Sequence, residues 1–328
     1  MKSALCAFDV FLGNPAVKRQ LVPMIDRGQL PHALLIEGAG GLGKRTLARL
    51  TAKAVLCKSG GGRSCGICES CKKADKKVHP DIITVESTGG ARSFHVDEIR
   101  KLKSQAYVLP NESEHKIFLL FNAHDMSVQA QNALLKLLEE PPGYGLFILT
   151  CESSGQMLET VRSRCMTLTL TEVSREETLR GAKQAGTKAL EDEIDFAYGL
   201  LGGNIGRVIE LLGDKEFAKA AKIAENIALS LAGDSEYELL KALGLLEKDK
   251  SKQQTVLNLL LRIIKNAVTA GASDKGQSGA AVKLAENRTV AELAALYTTA
   301  ADYLPLYDYN PNNTLLLTAL CSSLYQKI

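Results

Sequence analysis

The residues with the clearest chemical meaning are a run of glycines that ends in a lysine, Gly38-Ala39-Gly40-Gly41-Leu42-Gly43-Lys44. An apolar, strand-like run at residues 34–36 precedes it, and a helical pattern follows it over residues 46–56. In this order, glycines let backbone amides turn toward a phosphate group, and the start of the helix adds partial positive charge. The pattern predicts a phosphate-binding loop, with candidate contacts at Gly38, Gly41, Gly43, Lys44 and Thr46.

The ion chemistry expected beside such a loop is incomplete. A magnesium-binding loop carries Ser or Thr directly after its lysine, but Arg45 stands there, and Thr46 lies about 100° further round a helix. A nucleotide hydrolase also needs two carboxylates at the end of a neighbouring strand. The candidate strand, residues 117–120, is followed by Phe121 and Asn122, which supply neither a carboxylate ligand nor a base. We therefore expect passive nucleotide binding at most, without turnover.

Four cysteines crowd into a short segment: Cys57, Cys65, Cys68 and Cys71. Two-residue gaps between three of them, with one further thiol, are typical of a zinc ion held by four sulfur ligands. Because protein would fill all four positions, no position remains for water, and the zinc would be structural. The alternatives are four free thiols and, more remotely, a redox Cys-x-x-Cys pair.

The apolar pattern predicts the framework that must position these sites. Strand-length apolar runs recur at residues 34–36, 82–85, 117–121, 146–150 and 166–170. Polar or helical segments separate them, which favours a mostly parallel α/β sheet. Beyond residue 170, apolar residues follow helical spacing, as at 236–246, 254–268 and 290–303. We predict an α/β domain over residues 1–170 with the cysteine module at 57–71, a small helical domain over 171–214, and an all-helical domain over 215–328.

Composition restricts the class of protein. Of 328 residues, 45% are hydrophobic and 23% charged, which is typical of a globular chain. The sequence contains neither a run of about 18–20 apolar residues nor a signal-peptide pattern, so we expect a cytoplasmic protein. Forty Lys and Arg face 37 Asp and Glu, and a net charge of +3 is too small to indicate nucleic-acid binding by itself.

With these residues in view, the chain resembles the clamp-loader family of bacterial DNA polymerase III, a branch of the AAA+ proteins, and within it the delta-prime type. The most specific motifs are residues 131–142, which end in Leu-Glu-Glu-Pro-Pro, and Ser163-Arg164-Cys165. The others are Phe11-Leu12-Gly13-Asn14, residues 30–35, the glycine loop, the four cysteines, His79-Pro80-Asp81 and residues 96–100. The C-terminal third matches weakly, although its helical character fits the collar domain of the family.

The resemblance implies an AAA+ phosphate-loop domain, a helical lid and a collar that assembles subunits into a hetero-oligomeric ring. The implied partners are ATPase subunits of the gamma/tau type and a delta subunit, with the sliding clamp and primed DNA in the assembled complex. Arg164 is implied to act as an arginine finger on a neighbour's ATP, with Arg162 as the weaker candidate. Arg100 is implied to face DNA and contact its phosphates. Because gamma and tau keep the intact loop and acidic pair, the losses here indicate a subunit of the polymerase complex that does not hydrolyse ATP.

Two other functions remain open at this point. An ATP-hydrolysing motor of the gamma/tau type would need Thr46, and an acid outside the expected position, to replace the lost ligands. A zinc-containing DNA-binding module with a vestigial nucleotide fold is opposed by the small net charge, the absence of Trp and an aromatic content of 5%. ATP turnover by the chain alone would test the first alternative, and its affinity for short DNA would test the second.

Overall fold

A computed structural model describes residues 8–59, 64–86, 94, 96–246, 249–269, 278–309 and 312–328. The chain forms two compact units, Met1–Glu172 and Val173–Ile328. The division into three domains with boundaries at residues 170 and 214 stays a prediction.

The first unit is built on a parallel sheet. Its strands are β1 (Ala33–Glu37), β2 (Ile82–Glu86), β3 (Lys116–Phe121), β4 (Gly145–Cys151) and β5 (Met166–Thr169). They lie in the order β2-β3-β4-β1-β5, and every neighbouring pair is parallel. Strands β3 and β4 are buried along their whole length, because helices cover both faces of such a sheet. The predicted parallel α/β sheet is confirmed.

Helices pack on both faces of this sheet. They are α1 (Pro15–Asp26), α2 (Lys44–Val55), α3 (Glu69–Asp75), α4 (Val96–Ala106), α5 (Val128–Glu139) and α6 (Glu159–Arg162). On one face Leu47 of α2 packs in a cluster with Leu119 of β3. On the other face Leu134 of α5 packs in a cluster with Phe118. Successive residues of β3 thus point to opposite faces, as the pleat of a strand requires.

The described part of the second unit is helical. Its helices are α7 (Arg175–Gln184), α8 (Glu191–Leu201), α9 (Ile205–Gly213), α10 (Lys215–Ala232), α11 (Glu236–Gly244), α12 (Lys250–Thr269), α13 (Gly279–Asn287), α14 (Val290–Tyr303) and α15 (Asn313–Tyr325). One hydrophobic cluster extends from Ala182 in α7 to Leu324 in α15. The helices predicted near residues 236, 254 and 290 are confirmed, although α12 begins four residues earlier than its apolar pattern. None of the described helices is long and apolar enough to cross a membrane.

Candidate functional site

The glycine loop connects β1 to α2 at the carboxyl ends of the parallel strands, where sheets of this kind bind their ligands. Gly41 and Gly43 have left-handed backbone conformations, with φ of 90° and 88°. A Cβ atom on Gly38 would lie 2.9 Å from the Leu170 carbonyl oxygen. Glycine at position 38 therefore lets the loop pass close to the chain that follows β5. The three candidate glycines lie in the strand-loop-helix order that the sequence predicts.

The side chain of Lys44 is turned back onto the loop. Lys44 is 8% exposed, and its Nζ donates to the carbonyl oxygens of Gly38 and, at 2.9 Å, of Ala39. Burial lowers the pKa of Lys44, and the nearby Glu152 carboxylate opposes that shift. Thr46, in contrast, is exposed on the first turn of α2. A phosphate group would have to displace two loop carbonyls from Lys44, and Thr46 lies away from this contact.

A guanidinium occupies the place of the expected magnesium ligands. Arg45 forms an ion pair with Glu86 at the end of β2, and its Cζ lies 5.4 Å from the ring centroid of Phe121. Arg49, one turn further along α2, lies 5.1 Å from the same centroid. Glu86 and Phe121 are direct neighbours in the β2–β3 register. These residues do not fit a magnesium ion, because Arg45 brings its own positive charge and Phe121 offers no oxygen ligand.

Glu152, which the sequence motifs do not include, lies beside the loop. It follows β4, and its Oε1 would be 3.3 Å from a Cβ atom on Gly40. Its charge reaches Lys44, whose pKa it tends to raise. Strand β4, which Glu152 follows, lies between β3 and β1. The loop motif consists of β1, the glycine loop and α2, so it does not include this carboxylate. Glu152 is a single exposed acid, and it does not replace the missing carboxylate pair at Phe121 and Asn122.

The four cysteines converge between the end of α2 and the start of α3. The Sγ atoms of Cys57, Cys65, Cys68 and Cys71 all lie within 4.8 Å of one another. Four sulfurs bound to zinc at about 2.3 Å would be about 3.8 Å apart, so this group can hold a metal ion.

Backbone hydrogen bonds support the same cluster. The N–H of Cys65 donates to Cys57 Sγ at 3.3 Å, and the N–H of Cys68 donates to Cys65 Sγ at 3.3 Å. A hydrogen bond from Ser59 is the main cause that lowers the pKa of Cys65 to about 5, whereas burial raises the pKa of Cys71. Hydrogen bonds to sulfur favour the thiolate, which is the form that binds metals.

A buried histidine, His79, connects the cysteine module to β2 through a hydrogen bond with Ser70. The sequence motifs do not predict this contact. Ser70 Oγ donates to the Leu56 carbonyl oxygen at 2.8 Å and lies 2.9 Å from His79 Nε2. His79 Nδ1 accepts from the Asp81 N–H at 3.1 Å, and burial lowers the pKa of His79. The neutral ring therefore carries its proton on Nε2 and donates to Ser70. Because Ser70 gives its own proton to Leu56, the pair is structural and not a nucleophile with its base.

Asp81 extends this network to the next loop. Its carboxylate accepts from the backbone N–H groups of Asn111 at 2.5 Å, Glu112 at 2.8 Å and Ser113 at 3.0 Å. Burial opposes ionisation of Asp81, but the hydrogen bonds outweigh burial and the pKa is lowered. Glu112 in turn pairs with Lys73 of α3 at 2.6 Å. The sheet thus holds α3, and with it the cysteines, through two buried residues of the His79-Pro80-Asp81 motif.

Arg164 lies at the surface, two residues after the end of α6. Its Nη2 is 2.6 Å from Glu139 Oε1, and its side chain is 35% exposed. The pKa of Glu37, at the end of β1, is lowered first by hydrogen bonds from Thr169 and Ser154, and the charge of Arg162 adds a smaller effect. Of the two arginines, Arg164 is the one paired at the surface with α5.

Arg100 lies on the solvent side of α4. Its side chain is 72% exposed, and its Nη1 is 2.9 Å from Asp97 Oδ1, three residues earlier. Ile99 and Leu102 form the buried side of the same helix. The guanidinium is accessible, and contact with DNA stays a prediction.

Comparison with known proteins shows which proteins this chain resembles. A family profile described as "DNA polymerase III, delta subunit" matches residues 13–174, which include the glycine loop, the four cysteines and Arg164. DNA polymerase III subunit delta' of Bacillus subtilis is 28% identical over 271 residues, which cover 80% of each chain. DNA polymerase III subunit gamma of Buchnera aphidicola (subspecies Schizaphis graminum) is 28% identical over 264 residues, which cover 78% of this chain and 72% of that protein.

A solved structure has the same fold over most of the chain. The DNA polymerase III gamma subunit-related protein from Thermotoga maritima covers 95% of this chain and 99% of its own, with a TM-score of 0.51 and 16% identity. Relatives of the delta-prime and gamma types thus match at equal identity, and both types belong to the family that the sequence motifs indicate. Over most of its length this chain is therefore similar to clamp-loader subunits of DNA polymerase III, of both the delta-prime and the gamma type.

Proposed function

We propose that this chain is a non-hydrolysing subunit of the replicative clamp loader. Its partners would be ATPase subunits of the gamma/tau type and a delta subunit in a hetero-oligomeric ring. In the cytoplasm that complex would load the sliding clamp onto primed DNA. The observation that carries the proposal is the contact of Arg45 with Phe121 at the phosphate loop.

This contact argues against hydrolysis by the chain itself. Phosphoryl transfer in phosphate-loop enzymes depends on a metal ion between the loop hydroxyl and a strand-end carboxylate, and on a group that orients the attacking water. Arg45, Phe121 and Asn122 stand at those three positions. The loop therefore supports passive nucleotide binding at most, through its glycines and Lys44.

The chain's contribution to catalysis is assigned to Arg164. When water attacks the γ-phosphorus of a neighbour's ATP, the bond to the β–γ bridging oxygen breaks and negative charge grows on the leaving ADP. A guanidinium stays charged and offers forked donors to phosphate oxygens, so an arginine supplied in trans stabilises that charge. The partial exposure of Arg164 and its place in the Ser163-Arg164-Cys165 motif support this role, and Arg162 stays the weaker candidate.

The remaining sites have supporting roles in the proposal. We assign zinc to the four cysteines as a structural ion, because four sulfur ligands leave no open position for chemistry. Arg100 is assigned a contact with the DNA backbone that does not depend on sequence and weakens with salt. A motor of the gamma/tau type is the alternative function; it would need Thr46 and an acid outside the expected position, for which Glu152 beside the loop is the candidate.

Replacement of the finger tests the proposal directly. Arg164→Ala should leave assembly of the reconstituted loader intact and cut its DNA-stimulated ATPase. Arginines supplied in trans contribute about 10³–10⁵-fold to the rate in switch enzymes. The rate of ATP hydrolysis at the site that faces this chain should therefore fall close to zero. Steady-state ATP hydrolysis by the complex, with primed DNA present, is the measurement.

Arg162→Ala is the matched control, two residues away in the same segment. It should assemble normally and retain most of the ATPase activity. Unchanged turnover by the Arg164→Ala complex would refute the finger assignment. A loss confined to Arg162→Ala would transfer the role to that residue.

A further inference from the structure

We infer that Glu139 is a positioning residue for Arg164: its carboxylate holds the guanidinium against this subunit until a neighbour's phosphate group displaces it. The inference rests on the proposed finger role of Arg164 and adds a second residue to the same site. Its basis is the ion pair between Glu139 Oε1 and Arg164 Nη2, at 2.6 Å.

Acceptors from this chain engage both terminal nitrogens of Arg164. Nη1 donates to the Thr160 carbonyl oxygen at 2.8 Å and lies 3.3 Å from Ser163 Oγ, while Nη2 pairs with Glu139. Of these acceptors, Glu139 alone carries a charge. A phosphate group that approaches from a neighbour must take over donors that are already in use, and the carboxylate is its strongest competitor.

The position of Glu139 explains why it needs a cation. It is the last residue of α5, a helix of 12 residues, and the carboxyl end of a helix carries partial negative charge. A carboxylate at that end is repelled unless a cation lies close to it. Glu139 is exposed, so hydrophobic packing does not hold its side chain. Arg164 supplies the compensating charge, and the pairing stabilises both helix ends.

The backbone on which the two residues lie is firmly connected. Leu138 of α5 and Val161 of α6 are buried in the same hydrophobic cluster. Gln131 of α5 accepts from the Leu158 N–H at 2.8 Å and donates to the Met126 carbonyl oxygen at 3.2 Å. Because the helices are tied together, release of Arg164 requires only a change of side-chain rotamer, with one carboxylate exchanged for a phosphate group.

The size of the effect follows from the exposure of the pair. The side chains of Arg164 and Glu139 are 35% and 44% exposed, and ion pairs this close to solvent are weak. An ATP phosphate carries more negative charge than a carboxylate and accepts two hydrogen bonds from a guanidinium. It therefore displaces the Glu139 carboxylate from Arg164 once the neighbouring subunit is in place. Glu139 therefore reduces the finger's availability by about two- to fivefold and does not block it.

The test uses the complete reconstituted clamp loader with ATP and primed DNA. Glu139→Gln keeps the shape of the side chain and removes its charge, so kcat/KM for ATP should rise by about two- to fivefold. Glu140→Gln is the matched control, because Glu140 is the adjacent exposed acid and makes no ion pair within the described part of the chain. It should leave kcat/KM unchanged.

A complex that already carries Arg164→Ala shows whether Glu139 acts by positioning Arg164 or has a purely structural role. In an Arg164→Ala complex, the Glu139→Gln substitution should have no further effect on kcat/KM, whereas a purely structural role would persist without the arginine. A fall or no change on Glu139→Gln, or an equal rise on Glu140→Gln, would overturn the inference while Arg164→Ala still showed its loss. If Arg164→Ala itself had no effect, the proposed finger function would be refuted instead.

Discussion

The cysteine cluster and the phosphate loop of the first unit both belong to motifs that bind a cation, but the sequence keeps the ligands for that cation only at the cluster. At the cluster, four Sγ atoms converge within 4.8 Å, and backbone N–H groups donate to them. At the loop, the guanidinium of Arg45 lies over Phe121 and pairs with Glu86. The first region brings together four ligands that can hold a metal ion, and the second contains the positive charge of Arg45.

This difference shows what a motif alone does not reveal. Spacing identifies where a site can form, but the charges that meet there decide whether an ion is needed. Converging thiols repel one another once ionised, and a metal ion relieves that repulsion. A guanidinium between an aromatic ring and a carboxylate is already compensated. Three predictions test this contrast, from the largest expected effect to the smallest.

Loss of one cysteine should remove both the metal and much of the stability of the first unit. Chain purified without chelator should contain about one zinc ion, and Cys71→Ser should contain well under one. Since ligand binding stabilises the folded state by about 4 kcal/mol at a thousandfold excess over Kd, the variant should lose stability of that order. Metal analysis and denaturant unfolding are the measurements.

Cys151→Ser is the control for this prediction. Cys151 is a buried free thiol of β4, in the same unit but outside the cluster. Its replacement should keep the zinc content and cost less stability. Equal zinc content in the wild type and Cys71→Ser would remove the metal assignment, and with it the contrast between the two regions.

The anchor of the cysteine module should show a characteristic pH dependence. Asp81→Asn should cost about 2 kcal/mol at pH 7, because hydrogen bonds to a charged acceptor are lost. The pKa of Asp81 is lowered in the folded chain, so its contribution is present above the unfolded pKa of about 3.9 and is lost as pH falls through the folded pKa. The stability gap between wild type and variant should therefore narrow below about pH 4.

Unfolding of both proteins in denaturant across pH 3–7 checks this expectation. Asp75→Asn is a suitable control, because Asp75 forms an exposed ion pair with Lys53 and should contribute less than about 1 kcal/mol. A gap for Asp81→Asn that stayed constant down to pH 3 would contradict the assigned cause.

The smallest expected effect is at the loop, where ATP turnover by the isolated chain should not exceed background with magnesium and primed DNA. The reason is that Arg45, Phe121 and Asn122 leave no pair of ligands for the ion. Lys44→Ala is the control, since turnover that survives it comes from a contaminant. Robust ATP turnover that both Lys44→Ala and Glu152→Gln abolish would establish the gamma/tau-type motor. It would also contradict the difference between the phosphate loop and the cysteine cluster.

Much of the fold could be predicted because its signals are local. The five apolar runs of the first half predicted the strands, and helical periodicity predicted α11, α12 and α14. The strand order β2-β3-β4-β1-β5 was not predicted, because no local pattern states which strands pair. For the same reason, the motifs did not indicate Glu152 beside the loop or Ser70 beside His79. Both contacts join segments that only the completed sheet and its helices bring together.

By itself, the sequence determined which chemical groups are present: a glycine loop between strand and helix, four thiols at zinc spacing, an arginine in a family motif, and the lost ligands at Arg45, Phe121 and Asn122. These are properties of adjacent residues. The tertiary structure decided how the groups are used, because the contacts of Arg45 with Phe121 and of Arg164 with Glu139 join elements distant in the chain. Helix packing on the sheet sets those distances, and side-chain charge then decides which partners remain paired.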